Sequence, residues 1–253
     1  MAVIGILGVG GLAELMLRGF AGSGHRFILS PRGAEVSARL AEEFGHVRAG
    51  SNQEVIDRAD AIFVSLPADS GAEELARLRF RPDQPVLSAM AGTGLRRLAE
   101  VTTPARACLG MMPGYANAYR LGPCILCPED GFWQDALATV GPVHVFEDER
   151  LFTAAATFGA FSGATVGWMA QIIRWFEAQG LPAETARALV AGTLRGNAEV
   201  LLQEPRPLPD IAKGVTTPGG ITLQLLDHLE GRGALSAWGD GLDAVLRRIT
   251  SKG

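Results

Sequence analysis

Two short stretches of this chain have residue types and spacings suited to chemistry. The first, Val215-Thr216-Thr217-Pro218-Gly219-Gly220-Ile221-Thr222, reads as a helix start built to hold an anion. Thr217 is placed as the N-cap and Pro218 at the first helical position, where its missing N–H costs nothing. Gly219 and Gly220 then leave the following amides, including that of Ile221, open to a carboxylate. Thr222 falls about one turn inside, with its hydroxyl in reach of a polar atom roughly 3–4 Å from that carboxylate.

The second stretch is Gly8-Val9-Gly10-Gly11-Leu12-Ala13, a GxGxxA pattern. It ends the apolar run Ala2 to Leu7 and opens a helical recurrence of Leu12, Leu15, Met16 and Phe20. In that context the glycines let the backbone approach a pyrophosphate lying on the helix N-terminus, and dinucleotide binding is the expected function. The end of the next apolar run chooses the cofactor. An NAD site usually places an acid there for the ribose hydroxyls, whereas this chain has Ser30-Pro31-Arg32, whose hydroxyl and guanidinium suit the extra phosphate of NADPH or NADP.

The elements that must position these residues alternate. Strand-like runs at Ala2 to Leu7, His25 to Ser30, Ala61 to Leu66, Pro85 to Ala89, Ala107 to Met111 and Cys124 to Cys127 are separated by helical patterns, which implies an α/β domain with a doubly wound, Rossmann-type sheet over residues 1–149. From residue 150 to 253 no strand is evident, and an all-helical domain is expected. Its first segment, Leu151 to Ile173, carries no charge. That length invites comparison with a membrane span, but the run is rich in Ala, Thr, Ser and Gly and lacks a basic flank, so one buried helix or two short ones are expected. A domain of this size offers such a helix little cover unless a second subunit contributes, and Gly159, Gly163 and Gly167 would allow close helix approach. Glu204 to Asp210 reads as a proline-rich loop, with further helices at Ala183 to Leu202, Pro218 to Glu230 and Ala234 to Ile249.

Composition narrows the function classes. Hydrophobic content of 47%, charged content of 20% and a net charge of −4 give no basic stripe for nucleic acid. The N-terminus lacks a basic n-region and cleavage pattern, so a cytoplasmic protein without membrane attachment is expected. Cys124 and Cys127 form a CxxC inside an apolar run with only Cys108 besides, and the four histidines show no ligand spacing, so no metal is expected.

Taken in order, the glycine fingerprint, Met112-Pro113 after the fifth strand, Gly180-Leu181-Pro182 after a long helix, and the octapeptide followed by Leu229-Glu230 resemble the pyrroline-5-carboxylate reductase family over nearly the whole chain. The resemblance implies NADPH-dependent reduction of a small cyclic imine carboxylate, pyrroline-5-carboxylate to proline or a close analogue, and so a place in proline biosynthesis. It implies a helical dimerisation and substrate domain and a homodimer or higher homo-oligomer. It assigns substrate binding to Thr217, Gly219, Gly220 and Ile221, a hydrogen bond from Thr222 to the ring nitrogen, and cofactor contacts to Leu66, Pro67, Met112 and Pro113 beside Gly8, Gly10, Gly11, Leu12, Ala13, Ser30 and Arg32.

The chain departs from the family pattern in four places. Gly114-Tyr115-Ala116 replaces Asn-Thr-Pro after Met112-Pro113. Phe158 to Gly163 replaces a Ser-Gly-Ser-Gly segment, Ser65-Leu66-Pro67 replaces Ala-Val-Lys-Pro, and Lys213 stands where an acid is usual. Two other readings follow from the residues. A β-hydroxyacid dehydrogenase would need a lysine on the first long helix of the second domain, but the only lysines are Lys213 and Lys252. A non-catalytic NADP-binding sensor or assembly protein would not need the intact threonine motif.

Overall fold

The computed structural model describes residues 1–31 and 33–251. In chain order its elements are β1 (Val3–Leu7), α1 (Gly11–Gly19), β2 (Arg26–Leu29), α2 (Ala34–Phe44), β3 (Val47–Arg48), α3 (Asn52–Arg58), β4 (Ala61–Val64), α4 (Gly71–Leu75), β5 (Pro85–Ser88), α5 (Leu95–Thr102), β6 (Arg106–Met111), α6 (Tyr115–Ala118), β7 (Cys124–Cys127), α7 (Gly131–Ala138) and β8 (Val143–Val145). Helices α8 (Glu149–Ala156), α9 (Phe158–Ala178), α10 (Ala183–Gln203), α11 (Leu208–Gly214), α12 (Ile221–Glu230) and α13 (Ser236–Thr250) complete the chain.

The strands form one sheet in the order β3-β2-β1-β4-β5-β6-β7-β8. All neighbours are parallel except β6 and β7. The chain reverses its direction of winding between β1 and β4, and in doubly wound sheets that switch point opens a crevice at the carboxyl ends of the strands. Side chains alternate between the two faces. Ile4, Ile6, Phe27, Leu29 and Phe63 pack with Met16 and Leu17 of α1 and Trp133 of α7. Leu7, Ile28, Ile62 and Val64 pack with Val55 of α3, Leu98 of α5 and Phe152 of α8. Both faces are thus covered by helices, which is why the strands read as continuous apolar runs.

The same alternation settles the CxxC. Cys124 joins the first cluster and Cys127 the second, so the two thiols of β7 lie on opposite faces of the sheet. Burial raises the Cys124 thiol to about 12 and the Cys127 thiol to about 11, and all three cysteines are free. Among the described residues no group of His, Cys, Asp or Glu is arranged to hold a metal ion.

The structure corrects several element boundaries. Strands β3 and β8 were not expected, because two and three residues are too short to show a period. The uncharged run is two helices, broken at Thr157, whose backbone N–H bonds back to Ala154. Leu208 to Asp210, expected in a loop, already belongs to α11, because Pro207 is compatible with a helix N-cap and Pro209 with its first turn. Helix α12 starts at Ile221 rather than Pro218, and α13 starts at Ser236.

By internal contacts the chain divides into two compact units, residues 1–159 with 245–253, and residues 160–244. In the helical unit Phe161 and Trp238 meet edge to face at 5.8 Å. No residue of α9 is buried, and Val166, Trp175, Leu189, Leu201 and Leu202 stand exposed. Cβ atoms added at Gly163 and Gly167 would meet nothing within 4 Å, whereas one at Gly159 would meet Met111 Sδ at 3.1 Å, so Gly159 serves packing within its own unit. Among the described residues no helix is long and apolar enough to cross a membrane.

Two partly buried histidines give the fold a pH dependence. His46 stacks on Phe44 at 5.5 Å, and burial lowers its pKa and that of His25 below the ordinary 6.5. The unfolded chain therefore takes up more protons as pH falls through that value, so stability is full above it and declines below it. Urea unfolding midpoints at about pH 7.5 and about pH 5.5 should show the lower value in acid, and His46→Phe should shrink the difference. Equal midpoints would contradict this.

Candidate active site

At the end of β1 the chain turns at Gly8 with φ +88°, and a Cβ there would lie 2.7 Å from the Ser65 carbonyl oxygen. Only glycine fits this turn. Gly10 follows as the N-cap of α1, in extended conformation and without a side-chain cap. The first intrahelical bond runs from Glu14 N to Gly10 O at 3.0 Å, leaving the N–H groups of Gly11, Leu12 and Ala13 without intrahelical acceptors. A Cβ at Gly10 or Gly11 would meet nothing within 4 Å. Open amides, positive helix end and clear space together fit a phosphate group. Ala13 is fully buried in the first core cluster, so its part is close packing of α1 on the sheet.

The remaining expected cofactor residues sort by burial. Ser30 is 0% exposed, and its hydroxyl oxygen accepts the Gly8 N–H at 3.1 Å. It therefore shapes the turn from below. Arg32 lies outside the described residues. The side chains of Leu66 and Met112 are packed in the core, while Pro67 is exposed and Pro113 half-buried.

Beyond Met112-Pro113, Gly114 takes φ +83° and α6 packs against α1, with Leu12 and Leu15 beside Gly114. Asn117 is fully buried and holds this segment. Its Oδ1 accepts from Gly114 N at 3.0 Å, and its Nδ2 donates to Gly122 O at 2.7 Å. Tyr115 at the start of α6 and Tyr119 just past its end are left exposed.

The sequence reading missed the loop after β5. Ser88, Met90, Thr93, Met111, Glu149 and Thr153 line a cavity of about 180 Å³ at the carboxyl ends of β5 and β6. Those strands lie two and three places from β1, roughly 10 and 14 Å along the sheet, a distance that a dinucleotide can span. The available signal was positional, since Gly92 and Gly94 follow a strand on the ligand-binding edge. Glu149 is occupied there, because its Oε1 caps α5 by accepting from Leu95 N at 2.8 Å.

In the helical unit the threonine motif differs in detail from the expected start. Gly220 N bonds to Thr217 O at 2.9 Å across Pro218-Gly219, and Gly219 has φ +73°, a β-turn with proline and glycine at its centre. Gly220, rather than Thr217, is the N-cap of α12, and no side chain caps it. A Cβ on Gly220 would lie 2.5 Å from Thr217 Oγ1, so a side chain there would displace the Thr217 hydroxyl. Gln224 N bonds to Gly220 O at 3.1 Å, and the preceding amides of Ile221, Thr222 and Leu223 have no intrahelical acceptors. Ile221 is 85% exposed. Thr222 is the second helical residue and also exposed, so its hydroxyl stands within the same first turn as the open amides. Lys213 is exposed in the last turn of α11, and Glu204 pairs with Arg206 at 2.7 Å.

Comparison with known proteins agrees with this fold. Residues 149–252 match the model for pyrroline-5-carboxylate reductase dimerisation, and residues 3–92 match that for NADP oxidoreductase, coenzyme F420-dependent. Pyrroline-5-carboxylate reductase 2 of Bacillus subtilis is 25% identical over 88% of this chain and 84% of its own length. The Escherichia coli pyrroline-5-carboxylate reductase is 26% identical over 92% of each. Among solved structures, a 1-pyrroline-5-carboxylate reductase from Streptococcus pyogenes superposes with a TM-score of 0.88 at 22% identity, covering 99% of this chain and 98% of that one. The Plasmodium falciparum pyrroline carboxylate reductase with NADP bound gives 0.87 at 18% identity, over 100% and 98%. Residues 149–252 thus carry a pyrroline-5-carboxylate reductase dimerisation domain, and the chain is similar to pyrroline-5-carboxylate reductases along most of its length.

Proposed function

We propose that this protein is an NADPH-dependent reductase of a small cyclic imine carboxylate, with pyrroline-5-carboxylate as substrate and proline as product, or a close analogue of that pair. The observation that carries the reading is the uncapped N-terminus of α12 with the Thr222 hydroxyl in its first turn, in a chain that also has an uncapped, glycine-lined N-terminus at α1. One helix start fits a pyrophosphate and the other a carboxylate. The curated relatives are named pyrroline-5-carboxylate reductases, and structural neighbours include an imine reductase in complex with NADPH4 and a reductive aminase in complex with NADPH.

When bound, NADPH supplies the hydride that the C=N carbon receives. The protein's own work is placement. The amides of Ile221, Thr222 and Leu223 hold the carboxylate, and the Thr222 hydroxyl orients the ring nitrogen, which is protonated as the carbon is reduced. Gly11, Leu12 and Ala13 would donate backbone N–H groups to the pyrophosphate, and Arg32 would pair with the 2′-phosphate. No strong base is needed for this.

We also place the functional domains at residues 1–149 and 150–253, the protein in the cytoplasm, and the active form as a homodimer in which α9 and α10 cover their exposed apolar side chains. Light scattering on dilute, active enzyme should give twice the chain mass. A fully active monomer would contradict the assembly. The reaction itself is tested by incubating the enzyme with NADPH and pyrroline-5-carboxylate and measuring proline, which should form one for one with NADPH consumed. Cofactor binding without turnover on any cyclic imine would overturn the proposal in favour of a non-catalytic NADP-binding protein.

A further inference from the structure

We propose that Ser30 and Ser65 are positioning residues for the cofactor, two hydroxyls that clamp the Gly8 peptide from opposite sides and so set the turn beneath the pyrophosphate. In the β1–β2 ladder, Ser30 N donates to Ile6 O at 3.0 Å, and continued parallel pairing would send Gly8 N to Ser30 O. Gly8 instead swings to φ +88° and leaves the ladder. Its N–H is met by Ser30 Oγ at 3.1 Å, while Ser30 O, freed from the ladder, accepts from Ser37 Oγ at 3.1 Å. On the β4 side Ser65 N continues the ladder to Leu7 O at 2.8 Å, and Ser65 Oγ donates to Gly8 O at 2.5 Å.

Both backbone polar groups of buried Gly8 are therefore satisfied by side chains at the ends of the two strands that flank β1. An unmatched N–H there would carry a desolvation penalty that a shift of the turn would relieve. Ser37 extends the connection to α2, whose N-cap Gly33 packs so closely on Val9 that a Cβ would lie 2.4 Å from the Val9 carbonyl oxygen. The turn and the start of α2 are thus held in one register.

The inference rests on the NADP reading above, and it differs from direct phosphate recognition by Ser30 in a measurable way. The pyrophosphate is common to NADPH and NADH, so a residue that acts through Gly8 must affect both. Isothermal titration of each cofactor into wild type, Ser30→Ala, Ser65→Ala, Ser65→Thr and Arg32→Ala provides the test.

Ser30→Ala and Ser65→Ala should raise both dissociation constants by a common factor of about 5 to 30, with kcat at saturating NADPH retained and Ser65→Thr restoring affinity. Arg32→Ala should instead raise the NADPH constant relative to the NADH constant by about 10- to 150-fold. A loss confined to NADPH in Ser30→Ala, or wild-type affinity in Ser65→Ala, would overturn the clamp while leaving the cofactor reading intact. Failure of the wild type to bind either cofactor would overturn both. Ser65 is only half-buried, so Ser65→Ala carries the test even where Ser30→Ala does not fold.

Discussion

Replacing Gly10 with alanine should raise the dissociation constant for NADPH about 100-fold and leave the stability of the protein nearly unchanged. The expectation comes from what surrounds each fingerprint glycine. Gly10 is extended, and a Cβ there meets nothing within 4 Å, so the protein accepts the methyl group and only an approaching phosphate meets it. Gly8→Ala should behave differently. Its φ of +88° disfavours any side chain, and the Ser65 carbonyl at 2.7 Å blocks the methyl group, so this variant should lose about 2–4 kcal/mol of stability as well as cofactor affinity. Urea unfolding beside calorimetric titration separates the two signatures. A Gly10→Ala enzyme that binds NADPH normally would remove the pyrophosphate from the start of α1.

The second large effect is expected at Thr222. Valine keeps the branched shape and removes the hydroxyl, and the exposed position at the start of α12 means little packing is disturbed. Thr222→Val should lower kcat/KM for the imine about 10- to 100-fold, the worth of one or two hydrogen bonds to the reacting nitrogen, with the NADPH dissociation constant unaltered. Steady-state rates with NADPH held at saturation check this. Full activity in the variant would take the nitrogen contact away from Thr222.

Where local residue chemistry decides the structure, the sequence was sufficient. The glycine fingerprint between an apolar strand and an amphipathic helix defined the first βα turn, and the alternation of runs implied the doubly wound sheet. Elements were lost where the local signal is weak or the cause lies elsewhere in the chain. Val47-Arg48 becomes a strand only because β2 offers it an edge. The proline of the threonine motif suited a first helical position, but Gly219 at φ +73° turns the chain once more, and the helix begins three residues later than that spacing indicates. Ser30 has the residue type of a phosphate ligand, and only the structure shows its hydroxyl turned inward to Gly8. The uncharged run from Leu151 reads as buried, yet beyond Phe152 and Ala156 of α8 no residue of it is fully buried in a single chain. The homodimer proposed above would cover it, and a single sequence displays no partner.

The central claim is that the start of α12 reads a carboxylate while NADPH reduces the neighbouring C=N bond. Its most direct measurement compares kcat/KM for NADPH oxidation with pyrroline-5-carboxylate and with 1-pyrroline, the same ring without the carboxylate. With charge-assisted hydrogen bonds from the α12 amides at stake, the carboxylated imine should be favoured by about 100-fold. Equal turnover of the two, or NADPH oxidation with neither, would contradict the account.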